Sequence, residues 1–303
     1  MYDVIIIGAG PTGLTAAIYA SRRMMKTLVI SKNIGGQVIW ASDIKNYPGT
    51  GTVTGPELIQ RMNQQVKDLN VEIKIDEVKK ISKNADNSFT VEAGKASYEA
   101  KTIIVAMGLA PKQLHLPKEE ELTGRGISYC ATCDAPLYKE KKVAVVGGGN
   151  AALDAAGLLA KAGNQVYLIY RKEEFRAFES LVAEVRGRSN VEILLNSDVY
   201  EIVGDNQLEK IKVKNSVDQS QRELELDGLF IEIGHKPRTE VVAELLARDE
   251  HEQIIIDSIS QTSQPGVFAA GDVTNVTFKQ VVIGCGQGAI AALAAYKYLQ
   301  EKK

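Results

Sequence analysis

A glycine pattern stands at the start of the chain, Gly8-Ala9-Gly10-Pro11-Thr12-Gly13, directly behind an apolar, β-branched run at residues 2–7. Such a run ending in such a pattern predicts a strand, a tight turn and a helix. Gly8 permits the turn, Gly10 lets a pyrophosphate approach the backbone, and Gly13 lets the helix pack on the strand. The N-terminus of that helix offers N–H groups to phosphate oxygens. Residues 14–23 have helical composition and residues 27–31 read as the next strand, so the chain opens with a βαβ unit for a dinucleotide. Where such a site usually has an acid for the ribose, Ser31 and Lys32 stand instead, and the Ser31 hydroxyl is the remaining ribose ligand.

The pattern recurs. Residues 143–146 are an apolar strand running into Gly147-Gly148-Gly149-Asn150-Ala151-Ala152, followed by a helix over 153–162 with Gly163 at its end and a strand over 165–170. A repeat this distant is a duplicated nucleotide-binding unit, not a solenoid. Arg171 ends the second strand of this unit, with Lys172 and Arg176 nearby. An NAD site places an acid there, whereas an arginine accommodates a 2′-phosphate through its guanidinium fork. The bland alternative is a solvated basic cluster ahead of a helix.

Just before the second glycine turn lies Cys130-Ala131-Thr132-Cys133-Asp134, which holds two of the three cysteines. Three cysteines in 303 residues make no disulfide framework. In a reducing compartment Cys-x-x-Cys is a redox or metal motif. Structural zinc takes four ligands, and Cys285, His115, His235 and His251 fit no such spacing, so redox exchange and no metal site are expected. A helix starting at Ala131 would favour a thiolate at its N-terminus. Asp134 is either a proton carrier for the leaving thiolate or an acid that only suits a helix N-terminus; spacing leaves both open. Cys285, in a glycine-rich apolar stretch, reads as a small buried residue.

Net charge is -2, from 36 basic and 38 acidic residues, which gives no general attraction to nucleic acid or anionic membrane. No apolar run reaches membrane-spanning length, and residues 1–8 lack a basic leader, so a cytoplasmic protein is expected.

Between the two units, residues 55–67 read as a helix, and 71–81, 88–93 and 96–100 as short antiparallel strands. Residues 101–106 read as a separate buried strand ending at Met107-Gly108-Leu109-Ala110-Pro111, a first crossing between domains. Further strands are expected at 192–196, 201–203, 211–214, 224–226 and 229–233, before a second crossing at Gly234-His235-Lys236-Pro237. A last strand over 267–270 closes on Gly271-Asp272, and residues 286–299 are helical. The expected architecture is α/β, with domain 111–238 inserted between 1–110 and 239–303.

These motifs, with Gly35-Gly36-Gln37 and Asn46-Tyr47-Pro48-Gly49, together resemble the bacterial low-molecular-weight thioredoxin reductases over nearly the whole chain. The resemblance implies two Rossmann-like three-layer ββα domains, an NADPH domain inserted in an FAD domain, and a homodimer that reduces thioredoxin or a similar small protein. It implies FAD contacts at Gly8, Gly10, Pro11, Thr12, Gly13, Ser31, Gly36, Gln37, Asn46, Ala106, Gly108, Gly271, Asp272, Lys279, Gln280 and Val281. It implies NADPH contacts at Gly147, Gly149, Asn150, Ala151, Arg171, Lys172 and Arg176. Cys133 would face the flavin, Cys130 would attack the substrate disulfide, and Asp134 would act as general acid and base. The chain departs from the pattern at Met107, usually Thr, at Tyr170 and Lys172, usually His and Arg, and at Gln287, commonly an acid. The Tyr170 and Lys172 departures bear on the electron donor, which leaves NADH, ferredoxin or another donor as the alternative to NADPH. A nucleotide-binding redox sensor without turnover is the reading from another class.

Overall fold

A computed structural model describes residues 1–41, 44 and 46–302, with Trp40 and Cys133 described in the backbone only. The chain divides into two compact units, Met1–Ala110 with Lys236–Lys303, and Pro111–His235.

The first unit opens with β1 (Tyr2–Ala9), α1 (Pro11–Arg22) and β2 (Thr27–Ile34). It continues through α2 (Gly55–Asp68), β3 (Glu72–Ile75), β4 (Val78–Lys83), β5 (Phe89–Ala93) and β6 (Ala96–Val105) to β7 (Leu109–Pro111). β3 is parallel to β2, pairing Leu28 with Glu72, so the strand expected in an antiparallel group joins the main sheet. The α2 crossover before it is what a parallel neighbour requires. A second revision concerns β6, which is one strand where two were expected. Its first half pairs antiparallel with β5, and its second half pairs parallel with β1, Val4 opposite Thr102 and Ile7 opposite Val105. The polar stretch at the start of β6 faces one neighbour and its apolar end another, which reads in sequence as a boundary.

Alternation along β1 builds three layers, because successive side chains of a strand point to opposite faces. Val4 and Ile6 pack with Leu14, Ala16, Ala17 and Ala20 of α1, whereas Ile5 and Ile7 pack with Val78, Phe89 and Val91 of the antiparallel meander. These strand residues are fully buried or nearly so, each worth about 1.5–3 kcal/mol of transfer free energy.

The second unit follows the same plan with β8 (Ile127–Ser128), α3 (Ala131–Asp134), β9 (Lys142–Val146), α4 (Asn150–Lys161), β10 (Gln165–Ile169), α5 (Glu179–Arg186) and β11 (Val191–Leu194). Then come β12 (Ser197–Val203), β13 (Lys210–Asn215), β14 (Gln221–Glu225) and β15 (Gly228–Ile231). The parallel sheet runs β11-β10-β9-β15-β8, and β12 to β14 form the meander. Val143, Val145 and Phe230 face α4, while Ala144, Val146 and Ile231 face the meander.

The chain returns through β16 (His235–Pro237), which pairs with β7. β17 (Val267–Ala269) pairs with β6, and α6 (Val281–Glu301) closes the first unit against α1. Among the described residues no helix is long and apolar enough to cross a membrane.

Candidate active site

The first glycine turn is shaped by close approaches. Gly8 has φ +109°, and a β-carbon there would collide with the Ala106 carbonyl. A β-carbon on Gly13 would collide with the Gly8 carbonyl, which is why strand and helix can lie so near. Gly10 is different. A β-carbon there would meet only the Gly35 carbonyl at 3.9 Å, and one on Gly36 only the Gly10 Cα at 3.7 Å. Gly10 caps α1 without a side-chain hydrogen bond, and Pro11 starts the helix, so the amides of its first turn remain for a ligand. This open backbone between Gly10 and Gly36 fits a pyrophosphate.

The late segments close on the same place. Gly271 and Gly284 both lie against the Thr12 hydroxyl, and Gly288 against the Thr12 carbonyl. Asn46 Nδ2 donates to Gln280 Oε1 at 3.1 Å, and Gln280 caps α6, whose first residue is Val281. Gln37 Nε2 donates to the Leu109 carbonyl at 2.6 Å. Gly108, at φ +62°, would carry a β-carbon into open space. Gln287 donates nothing to this contact but accepts, its Oε1 receiving the Gly271 amide at 2.8 Å. Thus Gly8, Gly10, Pro11, Thr12, Gly13, Gly36, Asn46, Ala106, Gly271 and Gln280 are brought together.

Two expected contacts look different in three dimensions. The Ser31 hydroxyl donates to the Asn33 carbonyl at 2.7 Å, which leaves it only lone pairs for a ribose. Lys279 is half-buried, and its ammonium donates to Gln253 Oε1 and to the carbonyls of Asp272 and Thr274, at 2.7, 3.1 and 2.6 Å. An ammonium has three protons, so Lys279 is spent on holding the Asp272 turn.

In the second unit Cys130 is the N-cap of α3 and is disulfide-bonded, whereas the Cys285 thiol is free and buried. Burial pushes the Cys285 thiol up from its ordinary value. The Cys133 side chain lies outside the described atoms. The Cys130 amide donates to Ser128 Oγ at 3.0 Å, and the Asp134 amide to the Cys130 carbonyl at 3.2 Å. Asp134 is partly buried, and Tyr138 has its phenol pushed up first by burial and then by the negative charges of Asp134 and Asp227.

Two groups at the dithiol escaped the sequence reading. Glu232 Oε1 accepts the Ala131 amide at 3.2 Å, and burial raises this carboxyl to about 7 against that bond. Glu119 is 2% exposed and accepts from the amides of Leu114 and Leu116 and from the Tyr129 hydroxyl, at 2.9, 3.2 and 2.7 Å. The signal for Glu232 was one acid inside the apolar run 229–233. Glu119 gave none, standing in a charged run at 118–121.

The second glycine turn is built like the first. Gly147, at φ +148°, lies under the Glu232 carbonyl, and Gly149 is open and caps α4 without a side-chain hydrogen bond. The loop after β10 folds over it. The Arg176 amide donates to the Gly148 carbonyl at 2.7 Å, and the Phe178 amide to Asn150 Oδ1 at 2.9 Å. The Tyr170 ring lies directly on Gly148 and stacks on Phe175 with centroids 5.6 Å apart and planes 17° apart. Ala151, Arg171, Lys172 and Arg176 are exposed, and among the described residues none of the three cations is in an ion pair. Among the described residues no group of three or more His, Cys, Asp or Glu is placed to hold a metal ion.

Known proteins resemble this chain in sequence and fold. The family pattern described as pyridine nucleotide-disulphide oxidoreductase matches residues 2–288. A thioredoxin reductase of Peptoclostridium acidaminophilum is 40% identical over 309 residues, covering 99% of this chain and 98% of its own. The solved thioredoxin reductase of Lactococcus lactis superposes with a TM-score of 0.82 at 36% identity, over 99% of this chain and 100% of that one. A ferredoxin-flavin thioredoxin reductase of Clostridium acetobutylicum superposes with a TM-score of 0.55 at 34% identity, over 99% and 98%. By these matches along its whole length, the chain belongs to the pyridine nucleotide-disulphide oxidoreductase family.

Proposed function

We propose that this protein is an FAD-dependent thioredoxin-disulfide reductase that takes electrons from NADPH and passes them through Cys130 and Cys133 to the disulfide of thioredoxin or a similar small redox protein. The observation that carries the reading is a disulfide-bonded Cys130 at the head of a helix, one glycine turn away from a dinucleotide-type βαβ. FAD, when bound, takes a hydride from a nicotinamide and hands two electrons to a disulfide.

The chain's own residues do the rest. Gly10, Gly36 and the first turn of α1 hold the phosphates, and Thr12, Gly271 and Asp272 form the wall beside them. The Asp272 position fits a hydrogen bond to a polyol chain, with Lys279 fixing its turn. Gly147, Gly149 and Asn150 receive the nicotinamide nucleotide's pyrophosphate, and Arg171, Lys172 and Arg176 offer charge for its 2′-phosphate. When the Cys130–Cys133 bond opens with two electrons, Asp134 gives a proton to the leaving sulfur. Asp134 takes that proton back as Cys130 attacks the partner's disulfide, and Cys133 then attacks the Cys130 sulfur of the mixed disulfide, releasing the partner as its dithiol and returning the pair to its oxidised form. A pair that is reduced and reoxidised each cycle suits a reducing, cytoplasmic compartment. We place the working unit as a homodimer, with the exposed Val282, Ile290 and Leu293 of α6 as apolar surface for a second copy.

One observation favours another donor. The Tyr170 ring covers Gly148, the middle glycine of the second turn, and Glu173 and Glu174 stand exposed in the same loop. Both disfavour a polyanionic nucleotide, which makes reduced ferredoxin the second reading. Anaerobic titration of the flavin-loaded protein with NADPH, NADH and reduced ferredoxin tests both, with thioredoxin reduction as the readout. Rapid, catalytic reduction by NADPH is expected. Flavin bleaching by ferredoxin alone moves the donor, and a single stoichiometric event in place of turnover leaves a redox sensor.

A further inference from the structure

The residue that directly follows β15, Glu232, is an acid where the strand's apolar pattern would continue. Phe230 points to the layer that holds α3 and α4, packing with Ala131, Ala135, Val145 and Leu153. Glu232 is two positions on, so it faces the same layer. Its amide still pairs with the Val146 carbonyl at 2.8 Å, so the strand geometry is kept up to this residue. Its carboxyl turns to α3, and Oε1 takes the amide of Ala131 at 3.2 Å. That amide is the peptide link leaving Cys130, so the acid sits one residue from the sulfur-bearing position. It also occupies one of the N-terminal N–H groups by which a short helix would favour a thiolate.

We propose that Glu232 is a positioning residue for the dithiol: its carboxyl sets the field at the head of α3, so that the reduction potential and the reactivity of the Cys130 thiolate change as this carboxyl gains or loses a proton. The inference rests on the reading of Cys130 and Cys133 as the redox pair. Opening their bond takes two electrons and one proton, here from reduced flavin and from solvent or Asp134, and leaves one thiol and one thiolate. An ionised Glu232 is a like charge beside that thiolate in a partly desolvated place, which disfavours the reduced pair. A neutral Glu232 keeps the hydrogen bond and removes the repulsion. Burial raises this carboxyl to about 7, so its charge changes in the working range of pH. The other titratable residues on the packed elements are Cys130, the N-cap of α3, Cys133 and Asp134 within it, Tyr138 of the turn after it, Lys142 at the far end of β9, and Asp154 and Lys161 of α4; the glycine turn and the first four residues of α4 bring none.

The test uses flavin-loaded protein equilibrated with dithiothreitol redox buffers at about pH 6 and about pH 8.5, either side of the raised carboxyl. Glu232→Gln keeps the accepting oxygen without the charge. It is expected to shift the exchange equilibrium toward the dithiol by roughly tenfold at the higher pH, about 30 mV for a two-electron couple, and by less than about twofold at the lower. An equal shift at both pH values, or no shift, overturns the proposal. Should the variant fail to fold, the pH profile of iodoacetamide alkylation of the reduced wild-type protein decides: a neutral-pH inflection besides the thiol's own supports it, and a thiol titration alone overturns it. A disulfide that does not exchange with dithiothreitol overturns the redox reading and this inference together. Normal exchange with the same pH dependence in both proteins overturns only this one.

Discussion

Gly284 of α6 lies against Thr12 of α1, so close that a β-carbon on Gly284 would stand 2.5 Å from Thr12 Oγ1. Gly271, at φ +77°, flanks the same hydroxyl, and a β-carbon there would also stand 2.5 Å from it. Thr12 therefore has no room to retreat. Gly284→Ala gains about 1 kcal/mol of helix propensity but overpacks this contact, at a cost of about 1–3 kcal/mol. A net loss of melting temperature is expected. Thr12→Ala in the same chain should restore most of it, and purely additive effects in the double variant would show that the two residues do not share the space.

Cys130→Ser and Cys133→Ser are each expected to abolish thioredoxin turnover while the flavin remains reducible. A dithiol standing between flavin and substrate is needed for the second half-reaction only. The variants should differ in one respect. The protein that keeps the flavin-facing thiol, assigned as Cys130→Ser, should develop a charge-transfer absorbance; its appearance only in Cys133→Ser would exchange the two roles.

Much of this was legible because glycine is read by its constraint. Gly8, Gly13 and Gly147 each stand where a β-carbon would strike a carbonyl, and only the strand-turn-helix context makes that so. The long strand β6 was not legible. It changes partners from β5 to β1 near Ala100, and pairing partners leave no periodic trace in one sequence. The role of the Lys279 ammonium was not legible either, because its three acceptors, Gln253 Oε1 and the carbonyls of Asp272 and Thr274, are brought to it only by the fold. Glu119 and its neighbours look alike in sequence, and only folding selects one of them for burial.

That selection gives a prediction. Glu119 is buried with two backbone amides and the Tyr129 hydroxyl on its carboxylate, just ahead of the dithiol. Glu119→Ala orphans these donors, each costing about 1–3 kcal/mol when left unsatisfied. Allowing for water reaching part of the gap, a loss of about 2–4 kcal/mol is expected by chemical denaturation. Glu120→Ala and Glu121→Ala, at exposed positions, should stay within about 0.5 kcal/mol.

Arg171→Ala and Arg176→Ala are expected to raise KM for NADPH about tenfold or more, since each charge-assisted contact is worth roughly 1.5–3 kcal/mol, with little change for NADH. The Arg176 amide bond to Gly148 survives the substitution, so the loop keeps its place. Lys172→Arg restores a bidentate fork and should sharpen the preference for NADPH. Steady-state kcat/KM with both nucleotides is the measurement, and equal losses for the two would remove the 2′-phosphate from the account.

Glu232 also couples folding to pH. Burial raises its carboxyl from 4.5 to about 7, so between those values the folded chain holds a proton that the unfolded chain has released. Stability then falls as pH rises through that window, the reverse of a salt-bridged carboxylate. Below about pH 4.5 both states are protonated and the penalty is absent; above about pH 7 both are ionised and the full penalty applies. At 1.36 kcal/mol per pKa unit the shift is an upper bound, and partial exposure screens it to about 1–2 kcal/mol. Glu232→Gln cannot ionise. Its melting temperature should equal that of the wild type at about pH 4 and exceed it by a few degrees at about pH 8, the gap opening between them. A gap of one size across the whole range would mean that Gln only packs better, and that the carboxyl carries no buried charge.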